Sequence, residues 1–204
     1  FFVLALLSKE NGLSFIVILP LALYYLGHRS MAQAIKGSLP AILLVLVYVG
    51  FRFLLMDARN NLVTEIMDNP YLHASTSEKI GTILWVHLRY LGLLIWPHPL
   101  SYDHSFNAIP YRSLADLLVL LSAAFHLGLL AFAFLTFRKR ELIGFCILFY
   151  LCTLALVNNL LFNVGAPMAE RFLYQASVPF LVVVLELIRR WSVRSPERTA
   201  SLAW

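Results

Sequence analysis

Apolar residues run along this chain in long blocks parted by short polar breaks, with no sustained alternation of apolar and polar positions. A helix needs about 20 such residues to cross a hydrocarbon core of roughly 30 Å. Runs 13–27 (somewhat short), 38–56, 114–136, 142–160 and 172–188 answer to that description, and residues 1–7 read as the end of an earlier span. A further run, 80–96, holds His87 and Arg89 near its middle and is followed by Pro97 and Pro99. The pattern predicts an all-α, polytopic transmembrane helix bundle. It has about five full spans, a partial first span and one interfacial or re-entrant helix.

The polar breaks orient the spans. Nine of the sixteen Lys and Arg residues gather in three segments: Arg29 with Lys36; Arg138, Lys139 and Arg140; and Arg189, Arg190, Arg194 and Arg198. By the excess of Lys and Arg on cytoplasmic loops, these three face the cytoplasm. Between Lys36 and Arg138 the chain must then cross an even number of times, yet three apolar runs lie there. Run 80–96, with its central arginine, is the one set aside. It lies in the interface or dips in and returns, as polar or irregular segments do where protein or a water-filled cavity surrounds them. Residues 57–113 thereby become one long outer-face loop, and loops of that length usually carry function. Residues 1–188 read as the C-terminal part of a membrane domain and 189–204 as a basic cytoplasmic tail. Because the chain opens without Met and inside an apolar run, a preceding N-terminal part is expected.

Composition agrees with this picture and excludes others. Of 204 residues, 60% are hydrophobic and 13% charged, with a net charge of +5, whereas soluble domains hold about 45–50% apolar and about 25% charged residues. No basic patch with interleaved aromatics suggests nucleic acid as a partner. Cys146 and Cys152 share one apolar run. On a helix they stand about 9 Å apart along the axis, too far for a bridge.

Four polar clusters fall on the outer side. Lys9 and Glu10 in "SKENG" precede an Asn-Gly turn. Arg89 lies with His87 and Tyr90. "WPHPLSYDHSF" supplies His98, Asp103 and His104, without a tight metal-ligand spacing. "NNLLFNVGAPMAERFLY" supplies Asn158, Asn159, Asn163, Glu170, Arg171 and Tyr174. Each has a plain structural reading: a solvated or snorkelling Lys-Glu step, an interfacial arginine anchor, asparagines that end a helix, a salt bridge within the bundle. Glu170 and Arg171 resist it most, since neighbours at i and i+1 do not face each other on a helix and charge at this depth needs a partner. The alternative is that Lys9, Arg89 and Arg171 converge on an anion. Arginine's fork suits phosphate oxygens, and lysine adds a point charge. A phosphate on a membrane lipid would sit at this depth.

"LLSKENGLSFIVILP", "YLGLLIWPHPLSYDHSF" and "PMAERFLYQASVPF" together resemble, in order and content, the membrane half of the transmembrane-and-tetratricopeptide-repeat O-mannosyltransferases and their bacterial relatives, over nearly all of residues 1–188. That family looks like a branch of the GT-C glycosyltransferases, multi-span enzymes that move a sugar from a polyprenyl-phosphate carrier to an acceptor on the outer or luminal face. The resemblance implies a transferase of this type with membrane lipid, a polyprenyl-phosphate sugar and a protein or glycan acceptor as partners. It implies no certain cofactor and leaves a divalent metal open. It places Lys9 near the lipid phosphate, with Arg89 and Arg171 as further contacts. Glu10, Asp103, His104, Glu170 and Tyr174 support them, Glu170 orienting Arg171 and Asp103 shaping the acceptor side. The aspartate that activates the acceptor in such enzymes is expected ahead of Phe1. The tetratricopeptide repeats are not within these residues, so the segment alone is expected to be inactive. With no Asn-x-Ser/Thr in the outer segments, a bacterial inner membrane is favoured over the endoplasmic reticulum. The rival reading is a transporter or flippase of lipid-linked sugars. Such carriers bind near the bilayer midplane, often between inverted repeats. Here the polar residues gather at one end and no repeat is visible.

Overall fold

The computed structural model describes residues 2–55, 69–101, 104, 108–160 and 164–194. Among these the chain is helical, without strands: α1 (Phe2–Ser8), α2 (Phe15–Tyr25), α3 (Met31–Leu55), α4 (Thr76–Ile95), α5 (Leu117–Thr136), α6 (Leu142–Val157) and α7 (Leu173–Arg194). Single 3-10 turns at Glu10–Ser14 and Glu170–Phe172 lead directly into α2 and α7. The all-α expectation is borne out.

Local chemistry sets the helix ends. Ser75 and Glu78 close a capping box at the start of α4, the Glu78 amide donating to Ser75 Oγ at 3.3 Å and the Ser75 amide to Glu78 Oε2 at 2.8 Å. Asp116 caps α5 by accepting from the Leu118 amide at 3.0 Å. The turn between α5 and α6 closes with Arg140 in the left-handed region. Beside it Gly144 lets α6 approach α5, since a Cβ there would stand 2.8 Å from Thr136 Oγ1. Pro20, Pro40 and Pro179 all lie inside helices, which bundles in lipid tolerate because neighbouring groups re-satisfy the freed carbonyls.

α6 occupies the middle, packed against α2, α5 and α7. It exposes little: Phe145, Cys146, Tyr150, Leu154 and Val157 are all buried. Ring contacts give the direction of α2. Phe15 meets Phe149, and Tyr25 meets Phe145 and Phe137, so α2 runs antiparallel to α6. The first basic loop therefore lies beside the second, where Arg140 Nη2 donates to the Arg29 carbonyl at 3.0 Å and its guanidinium stacks 4.4 Å over Tyr24. α7 returns antiparallel to α6 and carries Arg189 and Arg190 to that same end. The described residues of all three basic segments thus share one end of the bundle, and the turns around Lys9 and Arg171 lie at the other.

Among the described residues, three helices are long and apolar enough to cross a membrane: Met31–Arg52, Leu117–Lys139 and Glu170–Val193, of 22, 23 and 24 residues. The two other expected full spans are shorter, at Asn11–Tyr25 and Leu142–Val157. At 1.5 Å per residue the 16 residues of α6 reach only about 24 Å. The physical reason is that Asn158 and Asn159 end α6 early, and Glu10–Ser14 wind as a 3-10 turn before α2 begins. α4 carries Glu78, Lys79 and Arg89 and is not among the three. It packs along α5 in the same direction: Gly81 lies against Arg112 and Ser113, the Leu84 carbonyl accepts from Ser122 Oγ at 2.5 Å, and the His87 ring faces His126. Its later turns then reach the loop ahead of α7. The outward faces of α3, α5 and α7 expose large apolar side chains, such as Val47, Phe134 and Leu185, a surface suited to lipid.

Candidate functional site

Lys9 and Arg171 are set by two similar breaks in helix. Lys9 is extended (φ −157°, ψ 140°) between α1 and the turn Glu10–Ser14, whose Gly12 amide donates back to the Lys9 carbonyl at 3.2 Å. Ser14 Oγ closes the turn on the Asn11 carbonyl at 2.8 Å. Ala169 is likewise extended (φ −155°, ψ 134°) ahead of the turn Glu170–Phe172, and the Phe172 amide donates to its carbonyl at 3.0 Å. Phe172 and Met168 are buried on either side. Arg171 is exposed, its guanidinium 5.5 Å over the Phe172 ring.

The two breaks meet. Ser8, Lys9, Asn11 and Arg171 line both of two adjoining cavities at this end of the bundle. The first, about 710 Å³, continues past Phe2, Ala5, Phe15, Tyr174 and Gln175. The second, about 550 Å³, is bounded by Tyr48, Arg52, Val164 and Phe172. Among the described residues, no acidic side chain lines either cavity. Lys9 and Arg171 thus bring two cations to the edge of a partly apolar space, a combination chemically suited to an anion. A phosphate oxygen supplies that charge in a form that Arg and Lys both recognise.

The loop holding Arg171 is fastened from two directions. Tyr90, buried on α4, accepts at Oη from the Ala169 amide at 3.0 Å and donates to the Ala169 carbonyl at 3.2 Å. Asn159, buried and at φ 60°, donates to the Ala166 carbonyl and accepts from the Val164 amide, both at 2.8 Å. Those two asparagine bonds replace the missing helix and shape the return toward α7.

The expected residues divide as follows. Lys9, Arg171 and Tyr174 come together at the cavities. Arg89 is not among their lining residues; it is exposed on α4 with its guanidinium 5.5 Å over Trp85, one turn earlier on the same helix. His87 turns the other way, into the core beside His126. The Glu170 carboxylate accepts from the Ser101 amide at 3.0 Å and meets His104 Nε2 at 2.9 Å. Glu170 thus pins the segment after α4 to the turn that bears Arg171. The Glu10 side chain and Asp103 lie outside the described residues. Arg52 and Tyr48 were not anticipated. Arg52 lies near the end of the apolar run 38–56, where an arginine reads as an anchor to the headgroups. The only sequence signal was its spacing of four from Tyr48, which puts both on one helix face.

Residues 58–130 match the model of a family described as protein O-mannosyl-transferase TMTC, DUF1736, a stretch that includes α4 and the first part of α5. The likeness is to the TMTC protein O-mannosyl-transferases. A protein O-mannosyl-transferase of Caenorhabditis elegans is 26% identical over 205 residues, which cover 94% of this chain and 27% of that relative. The chain therefore spans about a quarter of the length of that relative. No solved structure matches the chain. The family match includes the "WPHPLSYDHSF" segment and the relative spans nearly the whole chain, so both findings support the family resemblance.

Proposed function

We propose that this segment belongs to a membrane glycosyltransferase of GT-C type, whose cationic cavities hold the phosphate of a polyprenyl-phosphate sugar. The observation that carries the reading is the meeting of Lys9 and Arg171 around two adjoining cavities that no described carboxylate lines. The mannosyl group named for the C. elegans relative makes mannose the sugar of first choice, and a protein hydroxyl the acceptor. This end of the bundle faces the outside or the lumen, opposite the basic loops.

In the transfer, the acceptor hydroxyl oxygen attacks the anomeric carbon, and the bond from that carbon to the phosphate oxygen breaks. The hydroxyl proton passes to a carboxylate outside this segment. The leaving prenyl phosphate gains negative charge as the bond lengthens, and Lys9 and Arg171 are already in place to stabilise it. Preorganised charge in a site poor in water stabilises the transition state more than the ground state. Glu170, held by His104 and Ser101, keeps the Arg171 turn beside the segment that follows α4.

The test is sugar transfer from a polyprenyl-phosphate donor by the complete protein in membranes. Arg171→Gln and Lys9→Gln are each expected to reduce kcat/KM by about ten- to hundredfold, as removal of one charge-assisted contact of about 1.5–3 kcal/mol implies. Arg171→Lys should recover part of the loss. Unchanged turnover and donor affinity in Arg171→Gln would refute the assignment.

A further inference from the structure

We infer that His87, His126 and Tyr150 form a site for a late first-row transition-metal cation of the Zn²⁺ kind, which staples α4 to α5 and α6. The site stands apart from the donor-phosphate reading, since none of the three residues lines the cavities around Lys9 and Arg171. Each comes from a different helix, and His126 and Tyr150 are buried. The His126 ring lies 5.2 Å from the ring of His87 and 6.1 Å from that of Tyr150.

Hydrogen bonding decides which nitrogens are free to ligate. His126 Nδ1 stands 2.8 Å from the Ser122 carbonyl, which can only accept, so Nδ1 carries the proton. A metal-bound histidine almost always donates its other N–H in this way. In the neutral ring Nε2 is then bare, and it stands 3.3 Å from Tyr150 Oη. His87 Nε2 is buried and has no hydrogen-bond partner among the described residues, a rare condition that calls for an ion or a water. Zinc binds nitrogen and oxygen at about 2.1 Å, so two donors at a tetrahedral angle stand about 3.4 Å apart. The separation of His126 Nε2 from Tyr150 Oη suits that as well as it suits a long hydrogen bond. Among the described residues no third His, Cys, Asp or Glu joins the pair, so the phenol is the third donor and a water completes the four positions zinc favours. Imidazole donors suit Zn, Cu, Ni and Fe alike. Binding sends the Tyr150 proton to water, and the phenolate offsets one of the cation's two charges in an apolar interior. Tyr90 follows His87 by three positions on α4 and bonds the Ala169 amide and carbonyl. A cation at His87 therefore steadies the helix that fastens the Arg171 turn.

The test uses the complete protein in detergent, freed of any polyhistidine tag, stripped with a chelator and titrated with Co²⁺ or Zn²⁺ alone. Wild type should take up one equivalent of Co²⁺ with the visible absorption of a four-coordinate site, displaced by Zn²⁺. That equivalent should be missing in His87→Gln and in His126→Gln, and Tyr150→Phe should shift its spectrum. Loss of a ligand should weaken binding by more than the ten- to hundredfold that loss of an outer hydrogen-bond partner costs. Folding is checked separately: His87→Gln should melt like the wild type in chelator, while Zn²⁺ raises Tm in the wild type only. No such equivalent of Co²⁺, or one that persists in both histidine variants, would overturn the inference. So would a wild-type Tm indifferent to Zn²⁺, which would make a buried water the partner of His87 Nε2.

Discussion

Replacing Tyr90 by Phe removes one oxygen from the molecule and tests how the Arg171 turn is held. The Tyr90 side chain is 1% exposed, and its hydroxyl makes both the 3.0 Å bond from the Ala169 amide and the 3.2 Å bond to the Ala169 carbonyl. Phe fills the same space, so packing in the surrounding core of Leu93, Leu154, Val157 and Phe172 is retained and the change isolates the hydrogen bonds. Leaving a buried backbone group unpaired costs about 1–3 kcal/mol. Ala169 is only half-buried and water reaches part of it, so the lower part of the range applies. Two groups then cost about 2–3 kcal/mol together. For a domain of this size each kcal/mol lowers Tm by about 2–4 °C, giving a fall of about 4–12 °C. Buried Cys146 and half-buried Cys152 are free thiols, so a thiol-reactive fluorogenic dye in detergent reports the melt. Because Ala169 directly precedes Glu170 and Arg171, donor KM should rise in the same variant. A Tyr90→Phe protein that melts with the wild type and keeps its donor KM would refute the claim that α4 holds this turn.

Asn159→Ala should destabilise more, since it removes two bonds and also places an alanine at φ 60°, which costs about 1–2 kcal/mol for a residue with a Cβ; a fall in Tm larger than that of Tyr90→Phe checks it. Gly144→Ala forces a methyl to 2.8 Å from Thr136 Oγ1, which is itself held by the Phe132 carbonyl at 2.7 Å. Overpacking of this kind costs about 1–3 kcal/mol, and the same dye melt should show it, whereas a melt like the wild type would mean that α5 and α6 can part at no cost. The Ser75 hydroxyl and amide hold the Glu78 carboxyl below its usual range. The capping box therefore contributes above the ordinary glutamate pKa of about 4.3 and is lost as pH falls through the lowered value. The melting difference between wild type and Glu78→Gln should be full near neutrality and vanish in acid; a difference that persists in acid contradicts this.

Much of the bundle was legible because lipid imposes long apolar runs, and the basic segments that the runs leave over do gather at one end. Lys9 and Arg171 were legible for the same reason: each interrupts an apolar stretch beside a turn, where charge has no easy structural explanation. Arg89 shows the limit of that logic. Its depth in run 80–96 was visible, but the face of α4 on which it sits depends on where Trp85 and Tyr90 pack, and that is decided by residues far along the chain. Glu170 shows it too. Adjacency implied only that Glu170 and Arg171 seek different partners, and Ser101 and His104 bind Glu170 across 69 and 66 positions, a pairing that no local pattern reveals. The lengths of α2 and α6 were overestimated because the run 13–27 overlaps the end of the turn at Glu10–Ser14 and passes Tyr25, and the run 142–160 continues past Asn158, where backbone geometry, not hydropathy, ends the helix.

The measurement that bears most directly on the account is sidedness combined with ligand protection. Single cysteines at Lys9 and Arg171, and others at Arg29 and Lys139, are placed in the complete protein with Cys146 and Cys152 replaced, and intact cells or sealed vesicles are treated with a membrane-impermeant thiol reagent. The account predicts that positions 9 and 171 label from the outer or luminal side and 29 and 139 from the cytoplasmic side only. Added polyprenyl phosphate should slow labelling at 9 with Arg171 intact, and at 171 with Lys9 intact. Labelling of 9 and 171 from opposite sides, or from the side that labels 29 and 139, would contradict a single lipid-phosphate site at the end of the bundle away from the basic loops.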